Sequence, residues 1–120
     1  KSIQELVGDL IDDFLERENT AVPSLAATIN DLRGQKERFE DLGVIHMDLF
    51  GSIARNEAQS DSDIDIAVEF EQKSEMTLSK FASLQAEICE ILNREIDLSE
   101  RKKLMPEIKR GFDMDAIRVF

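Results

Sequence analysis

The chain has no tryptophan and no tyrosine, one histidine and one cysteine. With Cys89 alone, no intrachain disulfide can form, and nothing argues for a secreted, disulfide-stapled domain. His46 is far in sequence from Cys89 and has no second histidine to join it, so a zinc site has no support. A satisfied or exposed histidine is the expectation there. No apolar run approaches the length of a membrane span, and no secretory signal is visible. Positive charge is also scarce: 15 Lys and Arg face 26 Asp and Glu, for a formal net charge of −11. That balance opposes tight binding to a nucleic-acid backbone, which needs clustered basic residues. No direct nucleic-acid binding is therefore expected, and the acidity favours a basic partner or simple solvation. Repeats, low-complexity segments and a convincing linker are all missing. The expected setting is cytoplasmic. Lys1 is not an initiator methionine, so one or more residues are expected to precede it.

What is present suffices for one domain. The chain has 120 residues, 42% of them hydrophobic, enough for a single core. Residues 3–16 carry Ile3, Leu6, Val7, Leu10, Ile11, Phe14 and Leu15 at three- and four-residue steps, an amphipathic helix. It either packs on the core or docks a partner by its apolar face. Residues 24–42 read as a second helix, capped by Ser24, with Gly34 marking a kink or break and Gly43 a C-terminal cap. A strand follows over 44–50, then a Gly51-Ser52 turn and a short helix over 53–57. A second strand is expected over 63–69. The stripe Phe81, Leu84, Ile88, Ile91, Leu92 marks a helix over 77–92, with Asn93 at its cap and Cys89 at or near the core. A third strand is expected over 95–99. A last helix over 104–110 accepts Pro106 in its first turn and ends before Gly111. Residues 116–120 are a short strand or a helix end.

The stretch from Leu49 to Phe70 organises the rest. Two apolar runs flank a polar turn, and the second run carries Asp63 and Asp65. On a strand these point to the same face, while Ile64, Ile66 and Val68 point to the other. Paired carboxylates repel unless a cation sits between them, and hard oxygen ligands suit Mg²⁺. Gly51 permits close backbone approach, and Ser52 adds a hydroxyl and free N–H groups, a phosphate cradle. A cradle followed by a carboxylate metal site points to phosphoryl or nucleotidyl transfer. An EF-hand beginning at Asp61 is rejected, because Ile66 and Gln72 occupy the places that need Gly and Glu. The plain alternative makes Asp63 and Asp65 solubilising edge-strand residues. Arg55 is either a phosphate contact or a structural partner of Glu57 or of a sheet carboxylate.

From about Leu32 to Phe120 the chain resembles a known family. Leu49-Phe50-Gly51-Ser52, Ala54-Arg55, Glu57 and then Ser62-Asp63-Ile64-Asp65 are similar to the signature of the DNA polymerase β-like nucleotidyltransferases. The match is with their minimal (MNT) members, many of which are antitoxins paired with HEPN toxins. The resemblance implies an α+β fold, a small mixed β-sheet with helices packed on one face. The N-terminal helix would be an extra, dividing the chain into a 1–22 extension and a 23–120 nucleotidyltransferase domain. It also implies a third acidic residue on the strand after the long helix. Asp97 is the candidate, with Glu95 on the same face as runner-up. Asp63, Asp65 and Asp97 would then be catalytic and would hold two Mg²⁺ ions, and Gly51, Ser52 and Arg55 would bind the nucleotide. Asn56 stands where relatives usually have Gly. The implied reaction moves AMP from ATP to a partner hydroxyl, in the antitoxins a tyrosine of the HEPN toxin. Two alternatives are a non-catalytic binding antitoxin and an enzyme acting on a small molecule such as an antibiotic. The latter generally needs substrate-binding structure beyond the minimal domain.

Overall fold

The computed structural model describes residues 22–120. The helix expected over 3–16 lies outside the described residues. Ser24 caps α1 (Leu25–Arg33), its hydroxyl accepting from the Ala27 N–H at 3.2 Å. The single helix expected over 24–42 is in fact two, α1 and α2 (Lys36–Asp41), with the break at Gly34. After α2, Gly43 adopts φ +93°, the left-handed cap that favours glycine.

The sheet has four strands. β1 (Val44–Phe50) runs antiparallel to β2 (Ile64–Phe70), which runs parallel to β3 (Ile96–Glu100). The parallel step needs a crossover, supplied by α3 (Leu78–Leu92). Thr77 caps α3, and Asn93 closes it in the left-handed conformation at φ +51°. A 3₁₀ turn (Arg101–Lys103) leads to α4 (Pro106–Asp115) and to β4 (Ile117–Arg118), antiparallel to β1. The strand order is β3-β2-β1-β4, the small mixed sheet that was expected.

Period-two alternation sorts the two faces. Met47, Leu49, Ile64, Ile66, Val68, Ile96 and Leu98 point toward Leu32 of α1, Phe39 of α2 and Leu84 and Ile88 of α3. Each such aliphatic side chain contributes about 1.5–3 kcal/mol on burial. Helices thus cover this face as expected, with one addition. α4 is set against the opposite face, where Phe112 meets Phe50 edge-on at 5.4 Å beside buried Ala67.

Two local expectations are corrected. Residues 53–57 form no helix; Leu49–Phe50 run into a series of turns over 51–56. The Glu57 N–H folds back to the Ser52 carbonyl at 2.8 Å, and Asn56 at φ +59° ends the coil before a second turn can form. The last helix does not stop before Gly111 but runs through it to Asp115. Burial of Phe112 outweighs the roughly 1 kcal/mol that a mid-helix glycine costs. Among the described residues, no helix is long and apolar enough to cross a membrane.

Candidate active site

The site grows from the register of three strands. Phe50, the last residue of β1, is the antiparallel partner of Asp65, and Asp65 is the parallel partner of Asp97. Asp63 precedes β2 by one residue and shares the Asp65 face. The three predicted carboxylates therefore come together at one end of the sheet. Because Phe50 lies opposite Asp65, the next residue must pass directly over the Asp65 carboxylate. That residue is Gly51, with φ +74°. A Cβ built there would collide with Asp65 Oδ2 and stand 3.0 Å from its Cγ. Gly51 thus serves both a backbone conformation and a close approach.

The turn beyond Gly51 is closed by its own backbone. The Arg55 N–H donates to the Gly51 carbonyl at 3.3 Å, and the Asn56 N–H to the Ile53 carbonyl at 3.1 Å. Among the described residues, the N–H groups of Ser52, Ile53 and Ala54 find no acceptor in these bonds. Successive unsatisfied amides in a turn make an anion-binding concavity without a helix. The loop leading to Asp63 is also held. Ser62 and Gln59 exchange bonds of 2.9 and 3.0 Å, and Arg94 Nη1 donates to the Ser60 and Ser62 carbonyls at 3.0 and 3.3 Å.

The electrostatics single out Asp65. Burial pushes its carboxyl up to about 6, and the charges of Asp97 and then Asp63 push the same way, opposed by Arg55. Asp97 is the direct parallel-strand neighbour of Asp65, and Glu95 lies two residues before it on the same face. Elsewhere on this face carboxylates have cations. Buried Asp48 accepts from Arg118 Nε at 3.0 Å, and Glu69 accepts from Arg101 Nη1 at 3.0 Å. Among the described residues, Asp63, Asp65 and Asp97 form no ion pair with a basic side chain. Nor, among the described residues, is any group of three His, Cys, Asp or Glu drawn together tightly enough to hold a metal as it stands. The donor chemistry nevertheless suits a hard divalent cation: three carboxylates, one held in an unfavourable charge state, under a turn with no side chain at its closest point.

Arg55 takes structural partners. Its Nε donates to Glu57 at 2.9 Å and its Nη1 to Asp115 at 3.4 Å. Glu57 is one of the two structural partners expected for it; among the described residues no sheet carboxylate pairs with it. Asp115 was missed, as were the Asp48–Arg118 pair and the Arg94 clamp. Their partners lie 60, 70 and about thirty positions away, with no sequence pattern to signal them. His46 is half-buried, its Nδ1 3.4 Å from the Phe120 carbonyl, in keeping with a satisfied histidine.

A family model described as a nucleotidyltransferase domain matches residues 32–119. The chain belongs to the nucleotidyltransferase family. Its relatives include the protein adenylyltransferase MntA of Thermococcus cleftensis, 37% identical over 71% of this chain and 84% of the relative. The protein MJ1379 of Methanocaldococcus jannaschii, assigned as a protein adenylyltransferase, is 38% identical over 59% of this chain and 72% of the relative. A solved structure described as a minimal nucleotidyltransferase superposes with TM-score 0.57 at 31% identity, over 74% of this chain and 93% of that one. The fold is also that of a chain from a tri-AMPylated Shewanella oneidensis HEPN toxin in complex with MNT antitoxin. There the TM-score is 0.57 at 16% identity, over 80% of this chain and 71% of that one. The nucleotidyltransferase match begins at residue 32, so it takes in only the last two residues of α1.

Proposed function

We propose that this nucleotidyltransferase moves AMP from ATP to a hydroxyl of a partner protein, with Mg²⁺ held by Asp63, Asp65 and Asp97. One observation carries the reading: Asp65 sits half-buried beside Asp97 and Asp63, directly beneath Gly51. The turn that supplies the cradle in this reading is thus the direct neighbour of the Asp65 carboxylate. Relatives named as protein adenylyltransferases support AMP as the group moved and a protein as the acceptor.

When bound, two Mg²⁺ ions supply charge neutralisation and Lewis acidity at the reacting phosphate. The chain does the rest. The turn from Gly51 to Ala54 presents amides to the phosphate oxygens. Arg55, braced by Glu57 and Asp115, fixes a positive charge on the same side. Asp97, exposed on the edge strand β3, faces the open approach of a large acceptor. The acceptor oxygen bonds to the α-phosphorus as the bond to the bridging oxygen breaks. Pyrophosphate leaves with the electron pair, and the acceptor proton passes to a carboxylate or to solvent.

The acceptor we favour is a tyrosine of a HEPN-type toxin in the same cytoplasm, which makes this chain an antitoxin. The family resemblance and the likeness to the HEPN–MNT complex support it. These 120 residues contain no tyrosine, so the chain is not its own tyrosine acceptor. The test is ATP labelled at the α-phosphate, Mg²⁺, the protein and an extract of its source cells. A specific labelled band is expected with the wild type and none with Asp63→Asn/Asp65→Asn. Equal labelling by that variant would remove the metal assignment. No labelling, with complex formation intact in the variant, would leave a binding protein on an enzyme's fold.

A further inference from the structure

Of the three site carboxylates, Asp63 is the one the sheet holds least. The β1–β2 register ends at the Phe50–Asp65 pair, and the β2–β3 register begins at Ile64–Ile96. Strand pairing therefore fixes Asp65 and Asp97. Asp63 lies one residue outside β2, at the end of the loop over 57–63, and is exposed. A segment outside the ladder has no position of its own, yet a metal ligand must be held in place by its surroundings.

Arg94 supplies that restraint. It follows the left-handed Asn93 cap of α3 and precedes β3 by two residues. Its own N–H donates to the Cys89 carbonyl at 3.2 Å, which ties its backbone to the last turn of α3. From that anchor the side chain reaches back 34 and 32 positions. Nη1 donates to the Ser60 carbonyl at 3.0 Å and to the Ser62 carbonyl at 3.3 Å, so one nitrogen bridges both ends of the Ser60–Ser62 turn. The Ser62 N–H on the Gln59 carbonyl and the Gln59 N–H on the Ser62 hydroxyl close the same turn from within. On the other side of Asp63, the Ile64 N–H donates to the Glu95 carbonyl at 3.3 Å. Asp63 is thus bracketed. The carbonyl before it is held by the side chain of Arg94, and the N–H after it by the backbone of Glu95. Both holds come from the turn that delivers Asp97.

We propose that Arg94 is a positioning residue for the metal site, fixing Asp63 on the face it shares with Asp65 and Asp97. The inference rests on the reading of these carboxylates as ligands of a divalent cation. A guanidinium has no acceptor and cannot be a ligand itself, so it acts through Asp63. Charge and position pull metal affinity in opposite directions here. A cation beside the site repels the ion, so by charge alone its removal would tighten binding. Loss of the clamp frees Asp63 and weakens binding, and outer-shell partners of this kind are worth about 10–100-fold in metal affinity. Positioning therefore predicts a weakening.

The readout is binding of Mn²⁺ alone, a hard divalent ion whose free form is counted by electron paramagnetic resonance, with no nucleotide and no turnover. Arg94→Met is expected to weaken binding by at least about tenfold. Arg94→Lys is expected to return to within about threefold of the wild type, because both bonds come from one nitrogen that an ammonium can replace. Arg38→Met, which cuts the two 3.0 Å bonds to Glu87 that join α2 to α3, should leave binding unchanged. Without metal, amide exchange in Arg94→Met should quicken about tenfold at 59–63 and stay unchanged at 44–50. Should Arg94→Met fail to fold, Arg94→Gln, a shorter side chain that keeps a donor, is read in the same way. Unaltered or tighter Mn²⁺ binding by Arg94→Met or Arg94→Gln overturns the inference and leaves the metal site standing. A lysine variant no better than methionine overturns it too. A wild type that binds no Mn²⁺ overturns the metal site and the inference together.

Discussion

Asp65→Asn should abolish transfer and, without metal, make the protein more stable. The charged carboxylate is disfavoured in the folded state, where burial and two neighbouring carboxylates raise it from 3.8 to about 6. Because the folded value lies above the unfolded one, the native state holds the proton more tightly. Stability therefore falls as pH rises from about 4 to 6 and is flat above, the reverse of a salt-bridged carboxylate. A shift of about two pH units corresponds to about 3 kcal/mol, which half-exposure and screening reduce to about 1–1.5 kcal/mol. The neutral amide escapes that penalty. In EDTA at pH 8 the variant's melting temperature should exceed the wild type's by about 3–7 °C for a domain of this size. At pH 5 about half of the gain should remain, since the unfolded carboxyl is already ionised there while most of the folded one is not. Saturating Mg²⁺ should reverse the order: the wild type gains about 2.7 kcal/mol at a hundred times its dissociation constant, and the variant gains little. A variant less stable than wild type at pH 8 in EDTA, or one stabilised by Mg²⁺ as strongly, would refute the account of Asp65 as a strained, cation-seeking carboxylate.

Gly51→Ala should lose transfer activity and about 1–3 kcal/mol of stability, because φ +74° disfavours a side chain and the new Cβ collides with Asp65. Titration with a non-hydrolysable ATP analogue, alongside denaturant unfolding, separates the two losses; wild-type binding would show the cradle lies elsewhere. Arg118→Met leaves Asp48 buried at 4% exposure without its cation, so the unfolding free energy from denaturant titration should fall by about 1–3 kcal/mol. Asn56→Gly should leave transfer intact and stability within about 1 kcal/mol, because φ +59° suits glycine; a large loss of either would mean the Asn56 side chain does something its backbone does not reveal.

The fold was legible wherever one period dominated. Alternation in 44–50 and 63–69, and the stripe from Phe81 to Leu92, mark elements whose burial is decided by their own side chains. Gly43 and Asn93 mark ends for the same local reason: at φ +93° and +51° each cap is a backbone conformation only a few residues adopt, whereas Gly34, in ordinary helical conformation, breaks the run by its poor helix propensity. Local reading failed where tertiary burial competed with it. Phe112 carried α4 through Gly111, and no periodicity announces that a helix will pack on Phe50 across the sheet. A short helix starting at the Gly51-Ser52 turn is the expectation over 53–57, yet five residues cannot repay nucleation when Asn56 and the Ser52 carbonyl offer a tighter closure.

The candidate site divides along the same line. Alternation in the sequence sets Asp63 and Asp65 on one face, and the family resemblance points to Asp97; the structure puts Asp97 beside Asp65 on the neighbouring parallel strand. The sequence also determined that Gly51 and Ser52 form the turn, since close approach requires a residue without a Cβ. Only the tertiary structure decided that Gly51 lies on Asp65, a consequence of the Phe50–Asp65 register, which depends on how β1 and β2 pair across fourteen residues. It alone raised the Asp65 carboxyl above the ordinary carboxylate range, which follows from burial and from Asp97 on another strand. And it alone tied Arg55 to Asp115 and Asp48 to Arg118, because ion pairs depend on distance in space and leave no period in the chain.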